Sequence, residues 1–157
     1  MTQPISMPPV SELVPHAAPM LLIDEVCSAD PLNLQARVAI RKNSMFYQDG
    51  LGVPAYVGIE YIAQAVAAYS GWRGKQEDPT MPPRIGYLLG TRKMTLNCDG
   101  FQAGDCLDVF VKNIFEDEQM GVFEGEIRNG ETVLVSAQIN VYQPASETGE
   151  QQETAKP

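Results

Sequence analysis

One carboxylate in this sequence sits where carboxylates are seldom found. Glu60 lies in Pro54-Ala55-Tyr56-Val57-Gly58-Ile59-Glu60-Tyr61-Ile62-Ala63-Gln64-Ala65, among side chains that are mostly apolar or small. A carboxylate buried without a partner is costly, so it either finds partners or raises its pKa. Gln64 follows one helical turn later on the same face. A narrow polar stripe facing solvent is the alternative, but Ile59, Ile62, Ala63 and Ala67 leave it little room. Ahead of Glu60, the amides of Ala55, Tyr56, Val57 and Gly58 fall in a first helical turn, without intrahelical acceptors and at the positive end of the dipole. Such donors can hold a carbonyl oxygen and stabilise an enolate-like one, although water satisfies most helix starts. His16 is the only histidine and is bracketed by Pro15 and Pro19. If the chemistry needs an imidazole, His16 or a partner chain must supply it; a lone histidine more often has a structural or exposed role.

Other chemistries lack their signatures. There is no GxSxG elbow. There is no recognisable Cys/His spacing, metal-ligand cluster or glycine-rich phosphate loop, so no metal or cofactor is expected. The 157 residues fit one domain, 44% of them apolar and 20% charged, which suits a folded core. The net charge is -9 and no Lys/Arg run exceeds two; nucleic-acid binding wants a concentrated basic surface and is set aside. Cys27, Cys98 and Cys106 are odd in number, widely spaced and without a CxxC pair, which reads as reduced thiols in the cytoplasm. The N-terminus lacks a basic start followed by an apolar run, and no apolar stretch approaches the roughly 20 residues needed to span a bilayer.

These groups need elements to position them. Residues 1–9 read as irregular. Val10 to Val14 suits one helical turn with Ser11 as N-cap, and Met20 to Val26 a first strand. Leu32 to Ile40 alternates as a half-buried strand. After a loop at 41–53, Pro54 suits a first helical position. From Ala55 to Trp72 apolar and small residues recur at spacings of three and four over almost five turns, giving a long, mostly buried helix; Gly71 and Gly74 mark its end. Strands follow at Ile85 to Leu96, Cys106 to Phe115, Met120 to Arg128 and Glu131 to Tyr142, the last two joined by Asn129-Gly130, a strong hairpin signal. Residues 144–157 are polar and aperiodic, as in a disordered tail. A lone apolar helix is unstable in water. The only available partner is a curved antiparallel sheet wrapped round it, an α+β domain over residues 10–143.

Two segments together resemble the beta-hydroxyacyl-(acyl carrier protein) dehydratases of fatty-acid synthesis. Val14-Pro15-His16-Ala17-Ala18-Pro19-Met20-Leu21-Leu22-Ile23-Asp24-Glu25-Val26 is similar to that family's opening stretch, where Leu-Pro-His leads into Pro-Phe-Leu-Leu-Val-Asp. Pro54 to Ala65 is similar, without a gap, to its helix motif of Pro-Gly, four residues, then Glu-Ala-Met-Ala-Gln-Ala. Ala103-Gly104-Asp105 echoes a Pro-Gly-Asp turn, and the strand order agrees from about residue 10 to 143. The resemblance implies a hotdog fold, a homodimer or higher homo-oligomer with sites at the subunit interface, and a substrate carried on the phosphopantetheine of an acyl carrier protein. The implied reaction removes water from a 3-hydroxyacyl thioester to give the trans-2-enoyl product. Glu60 matches the carboxylate that works on the leaving hydroxyl. Ala55 matches the glycine whose amide holds the thioester oxygen, with Gly58 beside it, and Gln64 matches a supporting glutamine; these three form the expected substrate-binding group. An acidic carrier would dock on a local basic cluster. Arg84, Arg92 and Lys93 could supply one, or could simply be a solvated strand edge.

One departure matters. The dehydratases carry a catalytic histidine in a Gly-His-Phe-Pro-Gly loop before the helix, whereas here the region reads Phe46-Tyr47-Gln48-Asp49-Gly50-Leu51-Gly52-Val53. His16 could take over as base, a paralogous partner could complete the site in a heterodimer, or Glu60 could activate water for thioester hydrolysis. The missing histidine and the wording of residues 57–64 are most similar to the atypical dehydratases of aryl polyene pigment clusters. The leading expectation is a hydro-lyase in which His16 takes the α-proton, Glu60 protonates the departing hydroxyl, and the Ala55 and Gly58 amides steady the enolate oxygen. A non-catalytic subunit and a thioesterase are the alternatives.

Overall fold

The computed structural model describes residues 7–16, 20–83 and 86–142. The expected tail at 144–157, most of the N-terminal stretch and Arg84 lie outside the described residues. In chain order the elements are β1 (Glu25–Ala29), β2 (Asn33–Ala39), β3 (Val53–Pro54), α1 (Gly58–Glu77), β4 (Tyr87–Leu96), β5 (Gly100–Phe101), β6 (Cys106–Glu116), β7 (Met120–Asn129) and β8 (Thr132–Tyr142). Short 3-10 turns cover Val10–Glu12 and Ala55–Val57.

Alternation in sequence becomes alternation in burial, because successive strand side chains point to opposite faces. Leu34, Ala36 and Val38 of β2, Leu107, Val109 and Val111 of β6, Phe123 and Ile127 of β7, and Val135, Ala137, Ile139 and Val141 of β8 are all buried. They line one face of an antiparallel sheet ordered β1-β2-β6-β7-β8-β4, and α1 lies in its curve with Tyr61, Ile62, Ala65, Val66, Ala68 and Tyr69 buried against it. Helix and sheet meet closely where Gly125 faces Ile62: a Cβ on Gly125 would stand 2.4 Å from Ile62 Cγ2. The β7–β8 hairpin turns at Asn129-Gly130 as expected, with Gly130 at φ 62. The result is the long helix wrapped by a curved sheet that the sequence implied.

Several boundaries move. β1 starts at Glu25, not Met20. The turn at Val10–Glu12 follows Pro9 and makes no side-chain cap bond, so Ser11 is not its cap. α1 begins at Gly58 after the 3-10 turn and runs to Glu77, passing through both Gly71 and Gly74. Gly71 marks a close approach, not a stop: a Cβ there would lie 2.1 Å from the Leu13 carbonyl oxygen. β5 was not foreseen; its two residues pair with β3 in a small separate ladder. Finally, β4 hydrogen-bonds only to β8 among the described strands, and Tyr87, Leu88, Leu89, Met94 and Leu96 along it are all exposed.

Candidate active site

Beside the start of β4 the sheet stands off the helix. A cavity of about 240 Å³ opens there, its walls including His16, Glu60, Ala63, Ala67, Leu88 and Val141. Ala63 and Ala67 follow Glu60 at helical spacing on one side of α1, and their small side chains leave the groove floor open. Glu60 projects from the first turn of α1 at the mouth of this groove. His16 arrives from the segment preceding β1, and its Nε2 lies 4.0 Å from Glu60 Oε1. That is too long for a hydrogen bond, so neither group is tied to the other and both can face a third group bound beside them in the groove. The side chains are 35% and 42% exposed. The expectation of a buried Glu60 is therefore corrected: it is half-exposed, because the groove that holds it is open along the unpartnered side of the helix. Nδ1 of His16 is buried and has no hydrogen-bond partner among the described residues.

Gln64 has no exposed surface. Its Nε2 donates to the Met20 carbonyl at 2.7 Å and its Oε1 accepts from the Leu22 amide at 2.8 Å. Both ends of the amide are thus engaged by backbone, and Gln64 does not line the groove; its substrate-binding expectation gives way to a structural placement. The expected oxyanion donors are corrected as well. The Ala55 N–H donates to the Asp99 carbonyl at 3.0 Å, continuing the β3–β5 ladder. The Gly58 N–H is satisfied within the 3-10 turn by the Ala55 and Tyr56 carbonyls. The reason is local: the sequence places the first helical turn at Ala55, but β3 and the 3-10 turn consume those amides before α1 begins. Gly58 instead admits the helix to the core, where a Cβ would stand 2.8 Å from Ile127 Cδ1.

Tyr61, next to Glu60 in the sequence, is a further functional candidate. It is buried and reaches a second cavity that also holds Asp24, Arg41 and Ser44. Burial and the nearby Asp24 carboxylate push its pKa up to about 12, so it stays protonated. Asp24 itself accepts from the Ala39 amide at 2.6 Å and pairs with Arg41 at 3.6 Å. A larger hollow of about 650 Å³ on the outer face of the sheet, bordered by Lys93, Lys112, Glu124 and Glu126, shares no wall with the His16–Glu60 groove. Neither His16 nor Glu60 lines it, which makes it the weaker candidate for chemistry. Among the described residues no helix is long and apolar enough to cross a membrane.

Comparison with known proteins gives consistent results. The family described as "ApeP-like: ApeP dehydratase" matches residues 8–154. The 3-hydroxyacyl-[acyl-carrier-protein] dehydratase FabZ of Shewanella woodyi is 31% identical over 137 residues, covering 83% of this chain and 86% of that protein. FabZ of Shewanella baltica is 29% identical over 135 residues, with the same coverage of each. Among solved structures, the dehydratase heterocomplex ApeI:P from Xenorhabdus doucetiae aligns with a TM-score of 0.83 and 32% identity, over 96% of this chain and 100% of that one. A hypothetical thioesterase with coenzyme A from Streptococcus pneumoniae aligns with a TM-score of 0.60 at 11% identity, over 76% of this chain and 84% of its own, a likeness of fold alone.

Proposed function

This chain belongs to the ApeP-like dehydratase family, and from that premise we propose that it removes water from a 3-hydroxyacyl chain on an acyl carrier protein, with His16 as base and Glu60 as acid. The observation that carries the assignment of roles is the 4.0 Å separation of His16 Nε2 and Glu60 Oε1 at the mouth of an apolar groove. As the base of the pair His16 takes the proton from Cα. As its acid Glu60 gives a proton to the hydroxyl on Cβ, the C–O bond breaks, and water leaves as the Cα–Cβ double bond forms. Imidazolium and carboxylate then face each other, and returning the proton from His16 to Glu60 restores the starting state. Ala63 and Ala67 make room for the acyl chain alongside α1.

A second chain is part of this reading. Among the described residues His16 Nδ1 meets no orienting acceptor, and the Ala55 and Gly58 amides are already engaged. A catalytic imidazole is usually oriented through its second nitrogen, and an enolate oxygen needs donors. The groove opens beside β4, whose outer edge is unpaired among the described strands and rich in exposed apolar side chains. A hotdog partner docked on β4 would cover the groove and could supply both missing groups. Its identity, a second copy or a paralogue, is an outcome of the test; the similarity to the ApeI:P heterocomplex supports a paralogue. An aryl polyene acyl chain fits the same family likeness, and three free cysteines fit a reducing cytoplasm.

The test uses 3-hydroxyacyl carrier protein and reads loss of water from the acyl chain by mass, with this chain alone and with a hotdog paralogue. We expect the enoyl product, and a loss of about 10²- to 10⁴-fold in Glu60→Gln with the fold kept. Full activity in that variant contradicts the role of Glu60. Release of free thiol without dehydration would instead indicate a thioesterase.

A further inference from the structure

The chain is tied to α1 on both sides of His16, and the ties stand on the same stripe of the helix as Glu60. At about 100° per residue, Glu60, Gln64 and Gly71 fall within about 40° of one another around the axis. On the N-terminal side, the backbone of fully buried Leu13 rests directly on Gly71, so close that a Cβ would meet Leu13 C at 2.8 Å and its O at 2.1 Å. On the C-terminal side, the Gln64 amide holds the Met20 carbonyl and the Leu22 N–H at 2.7 and 2.8 Å. Carbonyl i and amide i+2 lie on one edge of an extended chain, so Gln64 holds this segment as a neighbouring strand would. An amide side chain can donate and accept there at once.

We propose that Gln64 and Gly71 are positioning residues that strap the His16 segment onto α1 and so set the distance between its imidazole and Glu60. The proposal rests on the reading of His16 and Glu60 as the working pair, and it explains why a histidine from an irregular segment meets a helix carboxylate. Neither residue lines the groove, so neither touches substrate. Gln64→Met removes both hydrogen bonds at nearly constant length; Gly71→Ala pushes the Leu13 backbone away from the helix.

The test exploits the single histidine, whose ring resonances in a proton–carbon correlation spectrum are unambiguous. In the otherwise unaltered full chain, Glu60→Gln should shift the His16 ring signals. In Gln64→Met and Gly71→Ala backgrounds that response should disappear, and kcat for dehydration should fall by about tenfold to a hundredfold with KM nearly constant, the signature of misplaced catalytic groups. The Leu22 amide, measured by hydrogen exchange in the unaltered protein, should be protected; free exchange there overturns the proposal with no variant needed. A His16 ring that still responds to Glu60→Gln in a folded Gln64→Met chain also overturns it. If instead the strap variants release the ring while His16→Ala keeps full activity, the strap stands and the catalytic pairing fails.

Discussion

Glu60 and His16 reach each other by different means, and only one of those means is written locally in the chain. The helix motif places Glu60 by periodicity, so its type and turn could be read from residues 54–65. The meeting with His16 is tertiary: it depends on where the segment before β1 crosses α1, which no spacing rule reveals, and the sequence could name His16 only as the sole imidazole. The solvent exposure of Glu60 is hidden from the sequence for a related reason. Ile59, Ala63 and Ala67 read as a buried face, yet all three are only partly buried, and Ala63 and Ala67 border an open groove. Tyr61 yields a prediction at this scale. In the folded chain it keeps its proton up to about 12, whereas an unfolded tyrosine ionises near about 10. The folded state therefore binds the extra proton. Its contribution is complete below about pH 10 and is lost as pH rises through about 12. Urea titrations across that window should show falling stability, and Tyr61→Phe, which cannot ionise, should show a smaller fall.

At the scale of elements, the alternating strands and the 129–130 hairpin were legible because burial on one face imposes period two. What failed were the ends. Gly71 and Gly74 look like helix stops, but Gly71 is small because Leu13 lies against it, a non-local cause. The helix start was misread because Pro54 and Ala55 first join β5 through β3. Gly125 is the strand counterpart of Gly71. Gly125→Ala would drive a methyl into Ile62 and should cost about 1–3 kcal/mol by overpacking, read from chemical denaturation. Adding Ile62→Ala, which removes the Cγ2 that the new methyl meets and alone costs about 2–5 kcal/mol, should give a double variant that loses less than the sum of the two single changes, because the two positions share one contact.

On the scale of the whole molecule, the exposed apolar residues of β4 are the part of the pattern that one chain leaves uncovered. From sequence they promise burial; Leu89 is instead 55% exposed and Leu88 43%. Unpaired edges of this kind are templates for another strand. Leu89→Lys should leave the single chain nearly as stable, within about 0.5 kcal/mol as for ordinary surface changes, yet shift sedimentation toward the monomer and lower dehydratase activity in step. A variant that stays assembled with β4 charged would remove β4 from the interface. The central proposal, that His16 and Glu60, 4.0 Å apart, each exchange one proton with the substrate, is tested most directly by running the reverse hydration of the enoyl thioester in heavy water. The assembled protein should place deuterium at Cα, and His16→Ala and Glu60→Gln should each lose that incorporation; deuterium entering Cα at the unaltered rate in His16→Ala would contradict it.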